Sequence, residues 1–153
     1  MSQQASIIGA HSFFRRLPDR QLERLAACAR HISLPVRYRL FTEGATAHTF
    51  WLIDAGQVAL DAMVPGDGSV IIETLGRGDI VGLSWLQPPY QFRYGAITTQ
   101  PMQAFEFDAV AVRAACDEDS ALGYELICRF QAVTARRLQA TRARLLQARA
   151  AVA

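Results

Sequence analysis

Gly76-Arg77-Gly78-Asp79-Ile80-Val81-Gly82-Leu83-Ser84-Trp85-Leu86-Gln87-Pro88-Pro89-Tyr90-Gln91-Phe92-Arg93 is the stretch around which the rest of this chain is organised. Three glycines in seven residues, a short apolar run, two prolines and an arginine describe a backbone that turns tightly, makes about one helical turn and stops. A short helix preceded by glycine presents unpaired backbone N–H groups and the positive end of a dipole, which hold an anion without any special side chain. An arginine returning to the same neighbourhood adds a rigid fork of donors. The same residues also read as a Gly/Pro-punctuated loop joining two strands, and spacing alone does not choose between the two.

On both sides of this stretch the hydrophobic period is two. Ile32, Leu34, Val36, Tyr38 and Leu40 alternate, with Pro35 marking an edge or a break. Residues 50–53 read as a strand, Asp54-Ala55-Gly56-Gln57 as a tight reversal, and Val58, Leu60 and Ala62 as the next strand, with Ala59 and Asp61 between them; together they predict a hairpin. Pro65-Gly66-Asp67-Gly68 gives a second reversal before Val70-Ile71-Ile72. Residues 95–99 and 102–107 are two further strands across Gln100-Pro101, and Asp108 is an N-cap for a short helix over 109–115. Many short strands separated by turn residues indicate a sandwich or barrel, not alternating βαβ units.

Helices flank this β region. Pro18-Asp19 opens a helix with Leu22, Leu25, Ala26 and Ala29 on one face, so 13–30 is an N-terminal helical segment. Asp117, Glu118, Asp119 and Ser120 open a closing helix over 117–150, acids at its positive end. Leu122, Tyr124, Leu126 and Val133 form the stripe expected to pack on the β region. Ile127, Phe130, Thr134, Leu138, Thr141 and Leu145 continue at spacings of three and four. A helix of about 30 residues runs roughly 45 Å, longer than a small domain covers. Its far face therefore meets either a second copy across a two-fold axis, giving a homodimer, or solvent from about Thr141 onwards.

Over residues 13–146 the sequence resembles the cyclic-nucleotide-binding domain family, the sensor module of catabolite-activator (Crp/Fnr-type) bacterial regulators. The resemblance rests on the glycine-rich stretch as a phosphate-binding cassette (76–93), on Leu40-Phe41-Thr42-Glu43-Gly44, on Phe50-Trp51-Leu52-Ile53-Asp54-Ala55-Gly56-Gln57-Val58 and on the closing helix. It implies a mainly β fold, a double-stranded β-helical, jelly-roll-like roll over 31–108 flanked by helices. It also implies a ligand site at Gly82, Leu83, Ser84, Trp85, Arg93 and Tyr94, with Arg93 on the cyclic phosphate. The family cassette reads Phe-Gly-Glu-Leu-Ala-Leu and later Arg-Ser/Thr-Ala. Here Gly82 matches, but Leu83 stands where the ribose-binding glutamate belongs, and Arg93 is followed by Tyr94-Gly95-Ala96. Losing that glutamate removes a charge-assisted hydrogen bond worth roughly 1.5–3 kcal/mol, about one to two decades of affinity. Trp85, Tyr90, Phe92 and Tyr94 would narrow the pocket further, so cyclic AMP or GMP is expected to bind weakly or not at all, and the effector to be another small anion.

Composition sets the remaining bounds. A chain of 153 residues, 51% hydrophobic, is expected to be one soluble domain, 1–153. The N-terminus lacks a secretory pattern and no apolar run is long enough to span a bilayer, so the expectation is cytoplasmic, with no membrane partner. All 16 basic residues are arginine, and the net charge of +2 is too mild to imply nucleic-acid binding. Arg129, Arg136, Arg137, Arg142, Arg144 and Arg149 nevertheless crowd the closing helix, where they offer only salt-sensitive phosphate contact; specific DNA binding is not expected. Cys28, Cys116 and Cys128, and His11, His31 and His48, show no disulfide or metal spacing; the thiols read as small buried hydrophobes and no metal is expected. No nucleophile elbow, Walker loop or paired carboxylates are present, so no enzyme is expected. The reading is a stand-alone sensor or regulatory module acting on a protein partner or as a homodimer. The alternatives are a transcription-regulator-like protein with non-specific DNA contact and a haem or redox sensor.

Overall fold

The computed structural model describes residues 1–152. In chain order it contains α1 (Gln3–Ala10), a 3-10 turn at Ser12–Phe14, α2 (Asp19–Ala26), β1 (Ala29–Leu34), β2 (Arg39–Phe41), β3 (Thr49–Ala55), β4 (Val58–Val64), β5 (Gly68–Leu75), β6 (Ile80–Val81), β7 (Gly95–Thr98), β8 (Met102–Asp108), α3 (Ala109–Glu118) and α4 (Ser120–Val152). The strands form two antiparallel four-stranded sheets, ordered β1-β8-β3-β6 and β2-β7-β4-β5. Side chains of both sheets enter one core with α1, α2, α3 and the first half of α4. This is the jelly-roll-like arrangement expected from the sequence.

Several local readings need correction. The N-terminal helical segment starts before residue 13: α1 is capped by Ser2, whose hydroxyl accepts from Ala5 N at 3.2 Å. Strands β3 and β4 are not a hairpin, because they lie in different sheets. Gly56, at φ +96°, turns the chain from one sheet to the other so close to the Gln100-Pro101 turn that a Cβ there would sit 2.2 Å from Pro101 O. Thr99 N donates to Gln57 O at 2.9 Å, so the two corners are stitched together. The hairpin is instead β4 with β5, running from Val58 opposite Leu75 to Val64 opposite Gly68.

A further correction concerns the last two helices. Asp117 and Glu118 end α3, and Glu118 receives Arg24 from α2. Asp119 has extended dihedrals and its carboxylate accepts from Ala121 N and Leu122 N at 3.1 and 3.2 Å, so α4 starts at Ser120. Cys28 and Cys116 are half-buried, whereas Cys128 is exposed on the outer side of α4.

The alternation read in β4 also breaks at Asp61, which is buried although flanked by inward-facing residues. Arg39 of β2 donates to both its oxygens at 2.7 and 2.9 Å, and the Ser69 hydroxyl donates at 2.8 Å. The pair crosses Gly95 of β7, where a Cβ would lie 2.4 Å from Asp61 Oδ1 and 2.6 Å from Arg39 Nη1. The hydrogen bonds from Arg39 hold the Asp61 carboxyl below its ordinary range, against the opposing effect of burial and with help from Ser69.

Gly56→Ala is expected to lower stability by about 2 kcal/mol or more, since it adds left-handed strain to a backbone clash, and urea unfolding measures it. A depressed carboxyl pKa contributes stability that is present above its unfolded value and lost as pH falls through the folded one. Acid unfolding of the wild type should therefore carry a step below the ordinary value of 3.8. Asp61→Asn should show a shallower acid dependence in that range.

Candidate ligand-binding cassette

The cassette opens on a turn built by its own residues. Asp79 Oδ2 accepts from Gly76 N at 2.8 Å, Asp79 N returns to Gly76 O at 3.0 Å, and Gly78 at φ +86° closes the loop. Gly78 N donates to Ile53 O at 2.8 Å and Ile53 N to Asp79 O at 3.0 Å, which anchors the turn to β3. After β6, Gly82 at φ +94° lets the chain pass under Phe92; a Cβ there would meet the Phe92 ring and Thr49 O at 3.4 Å.

From this point the structure departs from the helical turn expected of the sequence. Residues 82–91 form successive turns without a helix, and Pro88-Pro89 is joined by a cis peptide bond. The physical reason is Trp85. Its ring is 0% exposed and stacks on Phe50 at 4.6 Å, with Phe130 of α4 edge-on at 5.1 Å. The far end of the loop is bonded to the 44–47 segment and not to its own preceding turn: Ala47 N donates to Tyr90 O at 2.6 Å and Phe92 N to Ala45 O at 2.9 Å. Arg113 of α3 secures the loop from outside, donating to Trp85 O and lying over the Tyr90 ring at 4.2 Å.

The six residues read as a ligand site therefore separate. Trp85 is core. Gly82 is buried beneath Phe92, which itself stacks on Phe41 at 3.6 Å. Leu83 and Ser84 are half-buried. Arg93 is exposed and, among the described residues, in no side-chain hydrogen bond or ion pair. Tyr94 turns the other way, its hydroxyl buried beside Arg137 of α4 and Glu73 of β5. Burial pushes its phenol above the ordinary range, while the Arg137 guanidinium pulls it down. Arg137 Nε lies 3.9 Å from Glu73 Oε2, and its Nη2 donates to Ile80 O. This polar junction was missed in the sequence, although Arg137 follows inward-facing Val133 by one helical turn and could have been placed on that face.

Of the residues assigned to a dimer face, Phe130 is corrected to the core: it is 3% exposed, edge-on to Phe13, Phe50 and Trp85. Ile127, Thr134, Leu138, Thr141 and Leu145 remain exposed.

The sequence model of the cyclic nucleotide-binding domain matches residues 32–119, which hold the two sheets, the cassette and α3. The chain belongs to the cyclic nucleotide-binding domain family. Solved structures agree. A cyclic nucleotide-binding protein from Geobacter metallireducens GS-15, described as putative, is 25% identical with a TM-score of 0.80, covering 90% of this chain and 99% of that one. A cyclic nucleotide-binding domain from Methylobacillus flagellatus KT has a TM-score of 0.80 at 19% identity, over 94% and 81% of the two chains. The sensor domain of the transcriptional regulator DNR from Pseudomonas aeruginosa has a TM-score of 0.70 at 20% identity, over 88% and 90%. No curated protein matches the sequence. The family is regulatory in character, and no helix here is long and apolar enough to cross a membrane.

Trp85→Ala is expected to cost about 3–5 kcal/mol, the range for truncating a buried aromatic. Arg93→Ala, on the same loop but in solvent, should change stability by less than about 0.5 kcal/mol. Chemical denaturation of the two variants checks both values.

Proposed function

We propose that this chain is a regulatory module of the cyclic nucleotide-binding domain family whose roll does not take a cyclic nucleotide in the family manner, and that it signals through α4 as a homodimer. The observation that carries the reading is Tyr94. The residue after the cassette arginine packs a phenol against the core of the roll, its hydroxyl buried close to the Glu73 carboxylate and the Arg137 guanidinium. Leu83 adds to this, since it supplies no carboxylate for a sugar hydroxyl. Phe92 on Phe41 occupies the space above Gly82. Half-buried Ser84 and exposed Arg93 keep the capacity to meet a small anion from the outside of the loop, through a hydroxyl and one free guanidinium.

The dimer reading rests on the outer side of α4. Ile127, Leu138 and Leu145 are 57%, 49% and 68% exposed, and they fall on one side of the helix with Thr134 and Thr141. Exposed leucines repeated along one face are what a two-fold helix pair would cover.

Calorimetry with cyclic AMP and cyclic GMP tests the first half: no submicromolar binding is expected, and such binding would overturn it. Tyr94→Ser, which removes the phenol, is expected to raise affinity for either nucleotide above that of the wild type. Light scattering tests the second half. The wild type should have the mass of two chains and Leu138→Glu/Leu145→Glu the mass of one; a monomeric wild type would end the dimer reading.

A further inference from the structure

Two clefts of about 660 and 500 Å³ adjoin on the side of the molecule away from the exposed leucines of α4. The first runs between the Glu73–Ile80 segment and α4, the second between α1 and the Arg77-Gly78 turn, and Ser12 and Gly78 are walls of both. They form one groove. Its lining holds Arg15, Arg77, Arg129, Arg136 and Arg137 against only Glu73 and Asp79, a formal +3, whereas the whole chain is +2. The remaining surface is thus slightly acidic, and the positive charge is concentrated here.

These arginines differ in what they already do. Arg129 donates to Phe13 O and pairs with Glu125, and Arg137 is held by Ile80 O and Glu73. Arg77 donates Nε to Asp54 O at 3.1 Å but meets no carboxylate, and Arg15 and Arg136 are exposed with no ion pair among the described residues. The three without a carboxylate partner are distributed over both clefts, so their charge suits an extended anion and not a single compact one.

We propose that this groove binds an acidic peptide segment of a partner protein. A recessed channel between a helix, a turn and a second helix does not admit a nucleic-acid duplex. Single strands bind through aromatic platforms, and among the described residues the aromatic rings in the lining are Phe13, committed to the core against Phe14 and Phe130, and the buried imidazole of His11, held by Asp54. Leu75, Ile80 and Val133 are buried beneath the groove, and Ile7, 39% exposed at its edge, offers an aliphatic contact beside the arginines. The groove face of α4, with Arg129, Arg136 and Ala140, lies opposite Ile127, Leu138 and Leu145 at 3.6 residues per turn, so a helix-paired dimer leaves it open.

Fluorescence anisotropy of the full chain with a labelled poly-glutamate peptide tests this. Saturable binding is expected at ~50 mM salt, with marked weakening at ~500 mM. Arg15→Ala/Arg77→Ala/Arg136→Ala should weaken it by about tenfold or more. Arg20→Ala/Arg142→Ala/Arg149→Ala, which removes as many exposed arginines outside the groove, should leave it within about twofold. Circular dichroism reports whether each variant is folded. Absence of saturable binding at low salt, equal weakening in the two triple variants, or tighter binding of an oligothymidylate of equal charge would each overturn the proposal.

Discussion

A single file of aromatic rings holds this molecule together. Phe14, Phe107, Phe50 and Trp85 stack in sequence at 5.6, 4.6 and 4.6 Å, and Phe130 stands edge-on to both Phe50 and Trp85. The five rings come from the N-terminal turn, β8, β3, the cassette loop and α4. Each buried aromatic contributes about 1.5–3 kcal/mol from area alone. The geometric consequence matters more than the sum. Trp85 ties the cassette to α4 through Phe130, so neither can shift far without opening a cavity that both must share. The indole N–H is buried without a partner, a cost of about 1–3 kcal/mol that the stack must offset.

That file explains which parts of the fold were legible in the sequence. Period-two runs and turn residues located nearly every strand, because half-buried strands write their burial into alternation. They could not say which strands pair. Asp54-Ala55-Gly56-Gln57 has the composition of a hairpin turn, and only the approach of Pro101 to Gly56 makes it a corner between sheets. Asp61 misled for a related reason: its partners Arg39 and Ser69 arrive from β2 and β5, and no local pattern signals a carboxylate neutralised across a sheet.

The site was legible to a lesser degree. Glycine and proline marked the cassette, and the replacement of a carboxylate by Leu83 was visible directly. The role of Trp85 was not, since a Trp beside a glycine-rich loop reads equally as pocket wall or as core. Local composition favoured a helical turn; burial of that one ring prevailed. Phe130 shows the same limit on α4, where spacings of three and four fitted both an inner and an outer face, and a drift of one position along the helix moves a side chain by about 100°.

The two halves of α4 are held by different physics. Up to Val133 the helix is fixed by apolar burial of Leu122, Leu126, Phe130 and Val133. Beyond it no side chain among the described residues is fully buried, yet the helix stays against the roll, because Arg137 donates to Ile80 O and Arg144 to Ile72 O. Guanidinium-to-carbonyl bonds are directional and can be exchanged for water, whereas a packed aromatic cannot give up its cavity at similar cost. The distal half is accordingly the part of the structure with the lower free energy of local opening. It is also the part where Arg137 reaches past Glu73 toward the Tyr94 hydroxyl, so an occupant that displaced the phenol would act first on the segment least able to resist it.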